Sequence, residues 1–257
     1  MILTAHQPVF APWAGFFHKL ALADMYCVFN VTQYEKKSYE NRNEIKTNTG
    51  KTMLIVPVES KNHFQKTIGN IRIIPGPWTR KMVRTLELAY AKAPHFNDYM
   101  PELRSILQEP HERLADLNVA LILWGMRALG INIPVVYATD YDFKGAKSDL
   151  VLSMCKTLGA TEYWFGAQGR DYADVESFTQ AGIKVHFQSY QHPVYRQLHG
   201  PFVSHLSFVD LLFNEGPNSL KIIMSGNISP PARPLPPTPG GEVGHSQLGA
   251  AGAQVIR

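Results

Sequence analysis

Two hydrophobic periods alternate along most of the chain. Residues 2–5 form a short apolar run that breaks at His6-Gln7-Pro8. Residues 16–23 then place Phe16, Leu20 and Ala23 on one face at helical spacing, and 25–29 form a second apolar run. A strand, a crossover helix and a further strand at this spacing predict a parallel βαβ unit. Residues 30–51 are polar and irregular and predict a long loop, a feature that often carries function. Residues 52–58 predict another strand, and 71–74 its short partner, ended by Pro75-Gly76-Pro77.

A helical block follows over 78–91, 97–107 and 111–129, punctuated by Pro94, Pro101 and Pro110. The alternation then resumes. Strands are predicted at 133–138, 161–165 and 183–187, and helices at 147–158 and 172–181. Gly159 and Gly182 stand where helix C-terminal caps belong. A short helical signal at 210–213 ends the patterned part. From Gly226 the composition shifts to proline, with six between 230 and 239, then to glycine and alanine. The pattern predicts an α/β fold: a mainly parallel, doubly wound sheet with an inserted helical block and a disordered Pro/Gly-rich C-terminal tail. The expected layout is a single α/β domain over 1–225, with the helical insert at about 76–130, and a tail over 226–257.

Composition narrows the classes. The 257 residues are 45% hydrophobic and 18% charged, enough to bury a core. With 25 Lys+Arg against 21 Asp+Glu, the formal charge is only +4, and no dense basic stripe marks a nucleic-acid partner. Cys27 and Cys155 sit apart in apolar stretches and read as buried free thiols. The N-terminus lacks a basic segment followed by an apolar core, and no apolar run reaches the ~18–20 residues of a membrane span. A cytoplasmic protein is expected.

In a doubly wound sheet, ligands bind beyond the carboxyl ends of the strands. On the predicted elements that rule selects His6 and Gln7, Asn30 and Gln33, Thr139 and Asp140, and Gly166, Gln168 and Gly169. His6 can exchange a proton near neutral pH, and Gln7 both donates and accepts. The run Asn41-Arg42-Asn43-Glu44-Ile45-Lys46, beside Gln33-Tyr34, concentrates groups that read hydroxyls and anions, or that simply order a solvated loop. Gly166-Ala167-Gln168-Gly169 presents backbone amides before a helix, either as an anion cradle or as a tight turn. Lys147 opens another helix, where it can face the site. No metal signature appears: His192, His199 and His205 are scattered, and there is no HExxH motif. Neither a Gly-x-Ser-x-Gly elbow nor a Walker loop is present, and Phe16 after Gly15 departs from the paired-histidine signature of nucleotidyl-transferring folds.

Taken together, several motifs resemble the WbqC-like protein family, which is tied to O-antigen and surface-polysaccharide gene clusters. They are Ala5-His6-Gln7-Pro8 with Pro12-Trp13-x-Gly15-Phe16-Phe17-x-Lys19, Gln33-Tyr34, Asn41-Arg42-Asn43-x-Ile45-Lys46, Lys147-Ser148, Gly169-x-x-Tyr172, Tyr195-x-Gln197 and Leu206-Ser207-x-x-Asp210. The resemblance covers about residues 1–220. One position departs from it: such proteins usually carry Asp after the second strand, where this chain has Asn30, and an amide cannot carry that charge.

The resemblance implies a transferase of surface-glycan biosynthesis that joins glycine or another amino acid to an amino sugar, with a nucleotide-linked amino sugar and an amino-acid donor as partners. It names no cofactor. On that reading His6 deprotonates the attacking amine, Gln7, Gln33 and Asn43 orient the sugar or the oxyanion, and Tyr34 and Asn41 flank them. Arg42, Lys46 and Lys147 hold a phosphate or carboxylate, and Asp140 orients His6 or binds a hydroxyl. The alternative is a non-catalytic protein that binds a nucleotide sugar or glycan intermediate through the same residues.

Overall fold

The computed structural model describes residues 1–228. Strands β1 (Ile2–His6), β2 (Met25–Val28), β5 (Val135–Tyr137), β6 (Glu162–Phe165) and β7 (Lys184–Phe187) form one sheet in the order β5-β2-β1-β6-β7. Every pairing in it is parallel. The chain starts at the centre, winds outward through β2 and β5, then crosses to β6 and β7 on the other side. That is the doubly wound order, with its switch point between β1 and β6.

The period of two along these strands explains why both faces are covered. Ile2, Tyr26, Val28 and Trp164 enter a large apolar cluster. Their neighbours Leu3, Ala5, Cys27, Tyr163 and Phe165 point the other way into a second cluster with Val151, Met154, Cys155 and Phe178. The second cluster is roofed by α5 (Ser148–Thr157) and α6 (Val175–Gln180). Gly159 and Gly182 follow these helices with φ of 68° and 72°, in the left-handed cap expected of them. Both cysteines are free and buried, and burial pushes each thiol up to about 12.

The larger cluster is built from α1 (Ala14–Ala21), α2 (Trp78–Tyr90), α3 (Phe96–Gln108), α4 (Leu114–Leu129), α7 (Phe208–Glu215) and α8 (Ser219–Ser225). The helical block predicted between the second and third sheet strands is α2 to α4. Helix α1 is buried along its whole length, His18 and Lys19 included. No helix among the described residues is long and apolar enough to cross a membrane.

The polar stretch 30–51 differs from the loop predicted for it. Its second half forms a hairpin, β3 (Arg42–Thr47) with β4 (Gly50–Ile55), in which Asn43, Ile45 and Lys46 are buried. The strand hides behind polar letters because backbone carbonyls, rather than apolar contacts, satisfy two of its inward-facing residues. Asn43 donates to Ala11 O at 2.7 Å, and Lys46 Nζ to Pro201 O at 2.6 Å and Gly200 O at 3.2 Å. The short partner strand predicted at 71–74 makes only isolated bridges, from Ile73 to Val58 and from Arg72 to Arg113. Asn227 still bridges to Tyr190, and the remainder of the tail expected over 226–257 lies outside the described residues from 229 onward.

Candidate functional site

At the switch point a cavity of about 430 Å³ opens beyond the carboxyl ends of β1 and β6. Its wall includes His6, Trp13, Gly15 and Lys19 from the first βα unit, Tyr39 and Asn43 from the hairpin approach, Gly166, Ala167 and Gln168 after β6, and Gln188 and His205. Among the described residues no carboxylate lines it.

Buried amides hold the loop between β1 and α1 in place. Asn43 Nδ2 donates to Ala11 O and, at 3.3 Å, to Phe10 O, while its Oδ1 accepts from the Glu44 amide at 2.8 Å. Asn118 Nδ2 donates to Pro8 O and Glu40 O, both at 2.8 Å. Ala11 sits at φ 40°, a strained backbone for a residue with a Cβ. Trp13 leaves this loop and stacks on His205 at 5.1 Å, with Tyr190 edge-on at 5.5 Å. A Cβ on Gly15 would lie 2.2 Å from the Trp13 ring, so the indole can cover the start of α1 only above a glycine. Gly15→Ala is therefore expected to displace Trp13, to weaken ligand binding by roughly tenfold or more and to cost about 1–3 kcal/mol of stability, which helix propensity offsets only in part. Thermal melts and a binding isotherm on one preparation check this.

His6 and Lys19 are two titratable groups of the cavity wall. The His6 Nδ1–H donates to Gln7 O at 2.8 Å, which leaves Nε2 as an acceptor. Burial, then the Lys19 charge, push the imidazole down to about 3 against the effect of that bond. Lys19 is 3% exposed and donates to Ala5 O at 2.8 Å. Burial brings its amine down to about 7. Gln188 Nε2 bonds Gly15 O at 2.7 Å and His18 Nδ1 at 2.9 Å, tying the cavity wall to the buried helix.

Of the residues singled out from sequence, His6, Asn43, Gly166 and Gln168 line this cavity. Gln7 turns away and donates to Thr32 Oγ1 at 2.7 Å. Gly169 supports the wall from below, because a Cβ there would lie 2.5 Å from Phe165. Gln33 bridges to Thr67, Tyr34 is buried in the large cluster, and Asn41 Nδ2 holds Val56 O at 2.8 Å. Arg42 Nε reaches Asn41 Oδ1 at 3.5 Å. Lys46 binds the 197–201 loop, and Lys147 is exposed at the start of α5. Asp140 lines a different cavity together with Asn30. Lys19 was not among the candidate site residues; a lysine inside the apolar run Phe16-Phe17-His18-Lys19-Leu20-Ala21 was its signal. Among the described residues no group of three or more His, Cys, Asp or Glu could hold a metal ion.

Comparison with known proteins identifies a family and one relative. The model of the WbqC-like protein family matches residues 7–222. The chain is 34% identical over 212 residues to the uncharacterized protein Rv1507c of Mycobacterium tuberculosis, covering 82% of this chain and 92% of that protein. No solved structure matches it.

Proposed function

The chain belongs to the WbqC-like protein family, and on that premise we propose that it is a transferase of surface-glycan assembly that joins an amino acid, glycine among them, to the amine of a nucleotide-linked amino sugar. One observation carries the reading: a buried lysine amine, brought by burial to about 7, lines a cavity at the switch point whose described wall has no carboxylate. Such an amine is matched to proton transfer at neutral pH. Histidine 6 is not, because an imidazole at about 3 is too weak a base for an ammonium proton. The base role therefore passes from His6 to Lys19.

As the sugar amine attacks the activated acyl carbon, the amide C–N bond forms and the bond to the leaving group breaks. The proton shed by the amine goes to Lys19 Nζ and from there to the leaving group. The fixed tautomer of His6 offers Nε2 as an acceptor that orients the attacking N–H. Gln168, at the mouth, supplies a side-chain amide donor to the developing oxyanion. Asn43, with all its polar atoms spent on backbone, shapes the site without touching the proton.

Only neutral Lys19 accepts a proton, so kcat is expected to rise with pH through about 7 and then level off. The direct test is mass spectrometry of the protein with UDP- and dTDP-linked amino sugars, glycine, ATP and an extract that supplies other activated donors. A product heavier by one amino-acid residue, formed with that pH profile, supports transfer. No new mass under any donor, with one nucleotide sugar retained on the protein, replaces this reading with the non-catalytic one.

A further inference from the structure

A second cavity, of about 620 Å³, opens on the same edge of the sheet at the ends of β2 and β5. Strand β2 pairs directly with β1, so the strand ends that rim the two cavities are neighbours in the sheet. Its walls differ in kind. One is the apolar flank of α4, from Ala115, Val119 and Leu123, with Tyr137 also on the cavity wall. The opposite rim is polar and comes from the strand ends: Asn30 after β2, then Thr139 and Asp140 after β5.

The polar rim is organised. Asn30 Nδ2 donates to Thr139 Oγ1 at 3.4 Å, and the Asn30 carbonyl accepts from the Gly69 amide at 3.1 Å. Asp140, Asp116 and Tyr137 line the cavity together, and burial, then the charges of the two acids, raises the pKa of the Tyr137 hydroxyl. Arg113 lies on the cavity wall with one N–H on Gly69 O at 3.5 Å; a guanidinium carries five donors. An apolar wall with an aromatic face, a pair of hydroxyl acceptors at strand ends and one guanidinium together match the three parts of a nucleotide: base, ribose and phosphate. In doubly wound sheets a side chain after the second strand is the one that meets the ribose.

We propose that this second cavity binds the nucleoside half of a nucleotide-linked substrate. The ribose 2′-hydroxyl lies on Asp140 and the 3′-hydroxyl on Asn30, the base against α4 and Tyr137, and a phosphate on Arg113. The assignment deepens the transfer reading, on which its link to the first cavity rests. The carrier nucleotide is anchored at β2 and β5 while the group to be modified reaches Lys19 at β1 and β6.

The test is calorimetric titration of the full chain with UMP, CMP, AMP and GMP and with their 2′-deoxy counterparts. At least one ribonucleotide is expected to bind, with its deoxy form roughly tenfold weaker, the loss of one hydrogen bond. Asp140→Ala should bring the ribonucleotide down to the deoxy level and leave the deoxy form unchanged, a coupling that a merely structural role would not produce. Asp140 is exposed, so its removal does not threaten folding. Asn30→Asp should tighten the ribonucleotide, because an ionised acceptor binds a hydroxyl more strongly than an amide oxygen does. Equal affinity for ribo and deoxy forms, indifference to Asp140→Ala, or no nucleotide binding at all overturns the assignment. If these ratios hold while no amino acid is ever transferred, the nucleoside site stands and the transfer reading falls. Transfer without nucleotide discrimination does the reverse.

Discussion

Lys19→Met is expected to make the protein more stable and, at the same time, inactive. The ammonium of Lys19 loses its hydration inside α1 and gains only the Ala5 carbonyl in return. Burial moves its pKa from 10.5 down to about 7. Each unit corresponds to about 1.4 kcal/mol, so the penalty is on the order of a few kcal/mol. The sign follows from proton counting. Between about 7 and 10.5 the unfolded chain holds a proton that the folded chain has released, so wild-type stability rises with pH across that window. Below about 7 the penalty is fully present. Methionine fills the same space without a charge, as buried ionic groups replaced by apolar ones commonly show. Urea denaturation at pH about 6 and about 9.5 should therefore find the variant favoured at the lower pH, with the difference shrinking at the higher. A variant that is less stable at both would show that the burial penalty is absent, and one that keeps turnover removes Lys19 from the chemistry.

The second large effect lies away from either cavity. Asp210, fully buried in α7, accepts from the Tyr90 hydroxyl at 2.7 Å and the Tyr195 hydroxyl at 2.9 Å. Tyr90 in turn accepts from the backbone amide of Lys46 in β3, at 3.1 Å. One carboxylate thus joins α2, β3, α7 and the segment around Tyr195. Burial raises its pKa, and the two hydroxyls work against that rise. Asp210→Ala would leave two buried phenols without an acceptor, and a loss of about 3–5 kcal/mol is expected. Asp210→Asn, which keeps one carbonyl oxygen, should fall between. Denaturant midpoints decide the matter: a loss under about 1 kcal/mol for the alanine variant would mean that the network contributes little.

The contrast between these two buried charges explains why the site and the fold were legible to different degrees. Asp210 is satisfied twice over and supports the core, and its sequence neighbourhood, Phe208-Val209-Asp210-Leu211-Leu212-Phe213, is as apolar as that of Lys19. Composition cannot separate a satisfied buried charge from a poised one. Partners decide it, and the partners of Asp210 stand 15 and 120 residues away.

Hydrophobic period was sufficient for the sheet. Strands β1, β2 and β6 are short apolar runs, as strands covered on both faces are, and His6 and Gln168 could be placed beyond strand ends from the topology rule alone. The helices α2 to α4 followed from spacing and proline punctuation in the same way. The hairpin β3–β4 was not legible, because Asn43 and Lys46 are buried on backbone carbonyls of distant loops and leave no apolar alternation to read. For the same reason the dense polar run 41–46 looked like ligand-binding chemistry, and most of it serves the scaffold. Gln7 and Asp140 could be assigned to the right edge of the sheet but not to a cavity. The direction of a side chain depends on a hydroxyl at Thr32 in one case and on the packing of α4 in the other. Period and spacing are local properties that each strand and helix carries within itself. The depressed amine of Lys19, the division of the edge into two cavities and the role of each buried amide arise only when segments far apart in the chain desolvate one another.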